Sequence, residues 1–384
     1  MAQEASKAKT DFLSSMSHDI RTPMNAIIGM TDLALADPDN QEQTIESLGV
    51  IKNSSEHLLR LINDILDMSR IESGRMILAR EPFRHSTELK RTVERNQVLA
   101  DRKGIRFQPS IHVKHDCCVG DVLRIQQIID NLLSNAFKFT PEGGTVAFDV
   151  TELSPKNERL GWYRFTISDS GIGISPDKLA RIFEPFYRVE NQEVRRTEGT
   201  GLGLSIVKNL VDYKGGMIEV KSEPEGGTRF IVTLPLSFAD EEPMEDEMVL
   251  GVQKSEPDLS GRSVLLVEDH PINQLVAKRI LEKLGAKVTV ANNGKEGAAA
   301  FIESEVGEFH MILMDIQMPL MDGYEATGVI RGSSHPQAES IPIVAMTANA
   351  FAGDVRKCLD AGMNAHIAKP IDQKNLFSVL KKYL

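Results

Sequence analysis

At 384 residues the chain exceeds what one ordinary hydrophobic core serves, and roughly 100 to 200 residues per domain divides it into two or three folded units. Its 55 acidic residues outweigh 44 lysines and arginines, a formal charge of -11, which speaks against nucleic acid or an anionic membrane as a partner. Cys117, Cys118 and Cys358 have neither metal-ligand nor disulfide-framework spacing, and read as small core residues in a reducing compartment. With no run of eighteen apolar residues and no signal-peptide core at the N-terminus, a soluble, cytoplasmic chain is expected.

In chain order, residues 4 to 36 and about 41 to 72 read as two long helices joined by the turn "DPDN". In the second, Leu48, Ile51, Ser55, Leu58, Ile62, Ile65 and Ile71 recur near heptad spacing, with Leu59, Leu61, Leu66 and Met68 widening the stripe. A hairpin of this kind, residues 1 to 75, cannot bury two apolar faces alone, so a dimeric four-helix bundle is expected. Its first helix carries "SHDIRTPMN", in which Pro23 removes the amide that would bond the carbonyl of Asp19, predicting a bend there.

From 79 to 236 the pattern turns mixed. A helix at 121 to 139 is followed by the strands "GTVAFDVTEL", "WYRFTISDS", "MIEVKSE" and "TRFIVTLPL", antiparallel in appearance, with helices between them, which implies an α+β sandwich. Residues 237 to 260 hold eight acids, one lysine and two prolines, the composition of a flexible linker, and a coil of about 22 residues spans roughly 25 Å. From 261 to 384, "SVLLV", "KVTVA", "HMILM", "IPIVAM" and "AHIA" alternate with helices in five βα units, an α/β doubly wound (βα)5 sheet of flavodoxin-like type.

In that last unit Glu268 and Asp269 end the first strand, Asp315 the third, Thr347 the fourth and Lys369 the fifth. All five meet at the carboxyl edge of one parallel sheet, where ligands bind in such folds. Three carboxylates repel unless a hard cation sits among them, and oxygen-only ligands suit Mg²⁺. The set is built to place a phosphoryl group on Asp315 as nucleophile, with metal and lysine neutralising the transferred oxygens.

In the middle unit, Ile125, Ile128, Ile129, Leu132, Leu133 and Ala136 make one apolar face of a helix, while Gln127, Asn131, Asn135 and Lys138 fall on another. Amide oxygens ligate Mg²⁺ without repelling a triphosphate, and Lys138 supplies a counter-charge, so Asn135 is a candidate metal ligand there. Asp169 leaves a strand where it can accept from an adenine amino group, beside a tight turn permitted by Gly171 and Gly173. Gly199, Gly201 and Gly203 bring backbone amides to phosphate at a helix start. A Rossmann reading fails because "YRVENQEVRRTE" before them is not a strand, and no GK[ST] closes a P-loop.

"LLVEDHPIN", "ILMDIQMPLMDGYEA", "VAMTANA" and "AKPID" resemble, in order, the motifs of response-regulator receiver domains, with His366 where that family usually has Tyr or Phe. Gln317, two residues past Asp315, joins Glu268, Asp269 and Asp315 as an expected metal ligand. The asparagine helix, "DSGIGI", "IFEPFYR", "EGTGLGLSIV" and "EGGTRF" with Thr228 resemble the N, G1, F, G2 and G3 boxes of the histidine-kinase ATP-binding domain. That resemblance makes the stretch between Ile174 and Thr200 a lid over ATP. "SHDIRTPMN" resembles the H-box of the dimerisation domain, whose matching histidine, His18, is the phosphoacceptor.

The resemblance gives Asp19 the role of holding the other ring nitrogen and taking its proton, and Thr22 that of positioning water in a phosphatase step. It implies a hybrid histidine kinase: ATP and Mg²⁺ as cofactors, autophosphorylation of His18, then transfer to Asp315. Implied partners are a second copy of the chain and a downstream histidine-phosphotransfer protein or response regulator. Membrane attachment is expected only through a sensor region absent from this chain. A second reading makes the receiver a phosphorylation-controlled, autoinhibitory docking module. A third, an ATPase or chaperone sharing the nucleotide fold, is opposed by the H-box, and the lack of HRD and β3-lysine motifs opposes a Ser/Thr kinase.

Overall fold

The computed structural model describes residues 2–74, 76, 78–157, 159–187, 201–239, 257–347, 352–369, 371 and 373–384. The chain divides into two compact units, Met1–Glu242 and Pro243–Leu384.

The first unit opens with α1 (Ala2–Ala36) and α2 (Gln41–Glu72), which pack against each other as a hairpin. Asn40 starts α2 as its N-cap, its side-chain oxygen accepting from the Gln43 amide at 3.3 Å. Although Pro23 deletes an amide, α1 is helical on both sides of it, and Pro23 itself is buried. Leu61 of the apolar stripe is buried, whereas Met24, Ile28, Leu48, Ile62 and Leu66 stay exposed in the single chain.

The rest of the unit is a sheet covered by helices. β1 (Glu81–Arg84), α3 (His85–Lys103), β2 (Arg106–His112), β3 (Cys117–Gly120) and α4 (Val122–Phe139) come first. There follow β4 (Thr145–Asn157), β5 (Leu160–Asp169), the short α5 (Pro176–Leu179), α6 (Gly203–Tyr213), β6 (Met217–Glu223) and β7 (Gly227–Phe238). The sheet order is β1-β3-β7-β5-β4-β2, with β6 on the first half of β7. The strands named from the sequence pair antiparallel, but β2 lies parallel to β4 in a mixed sheet, because β3 and the helix α4 carry the chain back across one face between them.

The apolar face of α4 predicted from its spacing (Ile125, Ile128, Ile129, Leu132, Leu133 and Ala136) is buried to 4% exposure or less, against Phe148, Phe165, Ile206 and Val232. Asp121 caps α4 through the Arg124 amide at 3.0 Å. The helix α3 shows no apolar period because the residues it buries are His85, Leu89, Thr92, Asn96 and Ala100. Their spacing is helical, but three of the five are polar. Cys118 and Cys358 are buried and Cys117 is half-buried.

In the second unit β8 (Ser263–Val267), α7 (Pro271–Lys283), β9 (Lys287–Ala291), α8 (Gly294–Ile302), β10 (Met311–Asp315), α9 (Gly323–Arg331), β11 (Ile343–Thr347), α10 (Ala352–Asp360), β12 (Ala365–Ala368) and α11 (Gln373–Tyr383) alternate as expected. The five strands are all parallel in the order β12-β11-β10-β8-β9. The central strands are apolar throughout because helices cover both faces, giving one core under α8 and α9 and another under α7 and α11. At the ends of the acidic segment, β7 runs on through Phe238, and Leu259 is 3% exposed in the second unit, its amide donating to the Leu284 carbonyl. The residues between 240 and 256 lie outside the described ones.

Candidate functional sites

In the first unit a cavity of about 650 Å³ lies over α4 and the loops after β5 and before α6. Asn131, Asn135, Lys138, Asp169, Gly173, Gly201, Gly203 and Thr228 all line it. Asn131 and Asn135 face it because they sit four apart on the side of α4 opposite its core face.

Asp169 ends β5 with one oxygen accepting from the Gly171 amide at 2.9 Å and the Thr228 amide at 3.2 Å. Its carboxyl titrates above the ordinary value, since burial outweighs those two amides, both of which favour the anion. The glycines are sterically required. A Cβ on Gly171 would stand 2.4 Å from the Phe139 carbonyl oxygen, and one on Gly173, at φ +67, 1.9 Å from that of Glu223. Gly201 sits at φ +72 with its carbonyl accepting from the Phe186 amide. Gly199, residues 188–200 of the stretch from Ile174 to Thr200 expected as a lid, and the side chain of His18 lie outside the described residues.

Whether the cavity suits a nucleotide can be read from its donors. The Asn131 amide nitrogen is buried with no hydrogen-bond partner among the described residues, and buried polar atoms seldom stay unpaired. Its volume lies in the range of about 300 to 1,000 Å³ usual for small-molecule sites.

In the second unit, Glu268, Asp269 and Asp315 each offer a carboxylate oxygen, all within 4.8 Å of one another. The Lys369 ammonium lies 2.6 Å from Asp315 Oδ2 and 2.7 Å from Glu268 Oε2, the latter a charge contact without hydrogen-bond alignment. Burial holds the Asp315 carboxyl above its ordinary value against the opposite pull of Lys369, and Glu268 adds to the rise. Three carboxylates with one lysine against them make a hard-oxygen cradle of the sort that fits Mg²⁺. Thr347 is buried at the end of β11, and its carbonyl accepts from the Lys369 amide at 2.7 Å. Gln317 is placed by its main-chain amide, which donates to Asp315 Oδ1 at 3.3 Å.

The sequence reading missed several supporting residues. Asn273 donates to Glu268 Oε1 at 2.8 Å, and Ser222 bridges the Ile174 amide and the Thr228 hydroxyl. One wall of the nucleotide cavity comes from α2, through His57, Arg60, Leu61, Asn63 and Asp64. No local motif marks these, because only the tertiary fold lays α2 against the cavity. Counting equally back from Ala36 and forward from Gln41 brings His18 of α1 level with Leu59, one turn or less from this wall. Asp19 is half-buried and Thr22 exposed on the same turns.

The comparisons agree with these geometries. The His Kinase A (phospho-acceptor) domain profile matches residues 8–74. The histidine kinase-, DNA gyrase B- and HSP90-like ATPase profile matches 120–237, and the response regulator receiver domain profile 264–381. These domains in this order make a hybrid histidine kinase, and the chain belongs to that family.

Among curated proteins it is 35% identical over 381 residues to the autoinducer 2 sensor kinase/phosphatase LuxQ of Vibrio vulnificus (strain YJ016), covering 99% of this chain and 43% of the relative. It is 34% identical over 387 residues to the aerobic respiration control sensor protein ArcB of Escherichia coli (strain K12), covering 99% and 47%. The chain therefore spans less than half the length of these relatives. A crystal structure of full-length ShkA in complex with AMPPNP aligns at 25% identity and a TM-score of 0.45, covering 97% of this chain and 99% of that one. No described helix is long and apolar enough to cross a membrane.

Proposed function

We propose that the chain uses ATP to phosphorylate His18 and then passes the phosphoryl group to its own Asp315, as the catalytic part of a two-component phosphorelay. The observation that carries this reading is the Lys369, Asp315, Glu268 and Asp269 cluster in a chain that also holds an ATP-binding kinase domain. Residues 1–75 serve as phosphoacceptor hairpin, 79–236 as ATP-binding domain, 237–260 as linker and 261–384 as receiver.

Neutral imidazole is a competent nucleophile at physiological pH. A ring nitrogen of His18 attacks the γ-phosphorus of ATP, the bond to the bridging oxygen breaks, and ADP leaves, while Asp19 takes the proton from the other nitrogen. An Asp315 oxygen then attacks the phosphorus on His18, and the imidazole leaves. Lys369, already 2.6 Å from Asp315, meets the charge gathered on the transferred oxygens. Glu268, Asp269, Asp315 and Gln317 in the receiver, and Asn135 at the nucleotide, would hold Mg²⁺, which would supply further charge neutralisation.

The exposed apolar residues Met24, Ile28, Leu48, Ile62 and Leu66 support pairing with a second copy of the chain as a four-helix bundle. A relative is named a sensor kinase/phosphatase, and on that ground we assign phosphatase activity here too, with Thr22 positioning water. The outgoing partner is a histidine-phosphotransfer protein or response regulator, and the chain works on the cytoplasmic side of any membrane-bound sensor. Nothing in the fold or the relatives supports the receiver as chiefly a docking module.

Labelled ATP tests the reading. Label stays on His18 in Asp315→Ala, and His18→Ala carries none on any residue. Label persisting in His18→Ala overturns the scheme.

A further inference from the structure

The contact between α2 and α4 is a closed polar clasp. Asp67 of α2 and Arg124 of α4 are each under 10% exposed. They meet as a two-pronged pair, Arg124 Nη1 donating to Asp67 Oδ2 at 2.6 Å and Nη2 to Oδ1 at 2.9 Å. Gln127 closes the ring, its amide nitrogen donating to Asp67 Oδ2 at 2.9 Å and its oxygen accepting from Arg124 Nη1 at 2.7 Å. Gln127 lies one turn before Asn131, on the face of α4 that lines the nucleotide cavity. Neither Asp67 nor Arg124 is on the cavity wall.

Met68 of α2 and residues just beyond the end of that helix moor the same stretch to both helices of the site. The Asn209 amide of α6 donates to the Met68 sulfur at 3.5 Å, the Tyr213 hydroxyl to the Met76 carbonyl, and the Ala79 amide to Asp121 Oδ2 at 3.0 Å. Thus α4, which carries Asn131 and Asn135, and α6, which begins at Gly203, are both held against α2. His57, Arg60, Leu61 and Asp64, on the same face of α2 as Asp67 at helical spacing, then form a wall of the cavity level with His18.

A buried ion pair is costly to half-form. Each charge left unpaired in the interior loses its hydration without compensation, whereas a separated, hydrated pair does not. The clasp therefore has two comfortable states, fully closed with the domain seated or fully open with it released, and few between. A two-pronged Arg and carboxylate pair also sets orientation, which a single apolar contact does not.

We infer that the Asp67, Arg124 and Gln127 clasp is a positioning device, seating the ATP-binding domain on the hairpin in the arrangement from which His18 is phosphorylated. The inference rests on the phosphoacceptor role proposed for His18. Asp67 and Arg124 are positioning residues: they act on where the γ-phosphate stands, not on whether ATP binds.

The test uses the full chain in Asp67→Asn, Arg124→Lys and the exchanged pair Asp67→Arg/Arg124→Asp. Asp67→Asn removes the charge at constant shape, and Arg124→Lys keeps charge but loses the fork. Both are expected to slow His18 labelling at saturating ATP at least tenfold, with ADP affinity within twofold of the unaltered chain. The exchanged pair is expected to regain at least threefold over either single variant. A parallel loss of ADP affinity overturns the inference, since the clasp then merely maintains the site. So does labelling that is unchanged or faster, or an exchanged pair no better than the single variants. Failure of the His18 reading is separate, showing as label retained in His18→Ala with the clasp intact.

Discussion

His85 makes the stability of the ATP-binding domain depend on pH in a way that can be calculated. It is 2% exposed, its ring stacked on Tyr163 at 4.5 Å and edge-on to Phe83 at 5.0 Å, and its Nε2 has no hydrogen-bond partner among the described residues. Burial lowers its pKa from 6.5 to about 4, and the opposing charges of Asp116 and Glu152 recover only part of the fall. The folded protein thus holds the ring neutral while the unfolded chain takes a proton below pH 6.5. Stability from this group is complete above that value and is lost as pH falls towards about 4.

The full drop of about 2.5 pKa units corresponds to about 3.4 kcal/mol. By pH 5 the loss is about 2 kcal/mol, a sizeable part of the 5 to 15 kcal/mol typical of a domain. Denaturant unfolding read by Trp162, the chain's one tryptophan and the neighbour of Tyr163 on β5, follows this domain alone. His85→Phe keeps an aromatic ring in the stack and removes the titration. Its unfolding free energy is expected to change less between pH 7 and pH 5, by about 2 kcal/mol, than that of the unaltered chain. Equal pH dependence of the two proteins would refute the reasoning, whatever their absolute stabilities.

Gly173→Ala is expected to weaken ATP binding at least tenfold, because a Cβ 1.9 Å from the Glu223 carbonyl at φ +67 forces a cavity-lining loop to move. Gly143→Ala, at φ +80 with nothing within 4 Å, is the control and leaves affinity unchanged; equal effects in a fluorescent-nucleotide titration would sink the argument. Pro23→Ala restores an amide to α1, removing a defect that costs about 3 kcal/mol in a regular helix. It is expected to raise the melting temperature of the hairpin and to shift the ratio of His18 labelling to dephosphorylation at least threefold. An unchanged ratio leaves Pro23 as packing alone.

Much of the fold was legible because its periods are strong. The apolar side of α4 follows from Ile125, Ile128, Leu132 and their neighbours, and the receiver strands are unbroken apolar runs. By contrast α3 buries Thr92 and Asn96, so its pattern looks like that of a surface segment, and the parallel pairing of β2 with β4 depends on a crossover through β3 and α4 that local sequence does not encode. Among the site residues, Asp169, Gly173, Asp315 and Lys369 were legible because strand ends and glycine turns place them by rule. Asn273, Ser222 and Arg60 were not, since each reaches its site by tertiary packing alone.

The sequence by itself determined which groups the proposed chemistry rests on: a helical histidine, an amide-bearing helix with glycine turns after it, and acids and a lysine at matched strand ends. Local periodicity and turn chemistry suffice for that, because each such residue is placed by the element it belongs to. Only the tertiary structure decided how hairpin and ATP-binding domain meet. Asp67 and Arg124 stand 57 residues apart in the chain, and neither is unusual in its own helix. Their charges become consequential only when packing removes the water that would otherwise screen them.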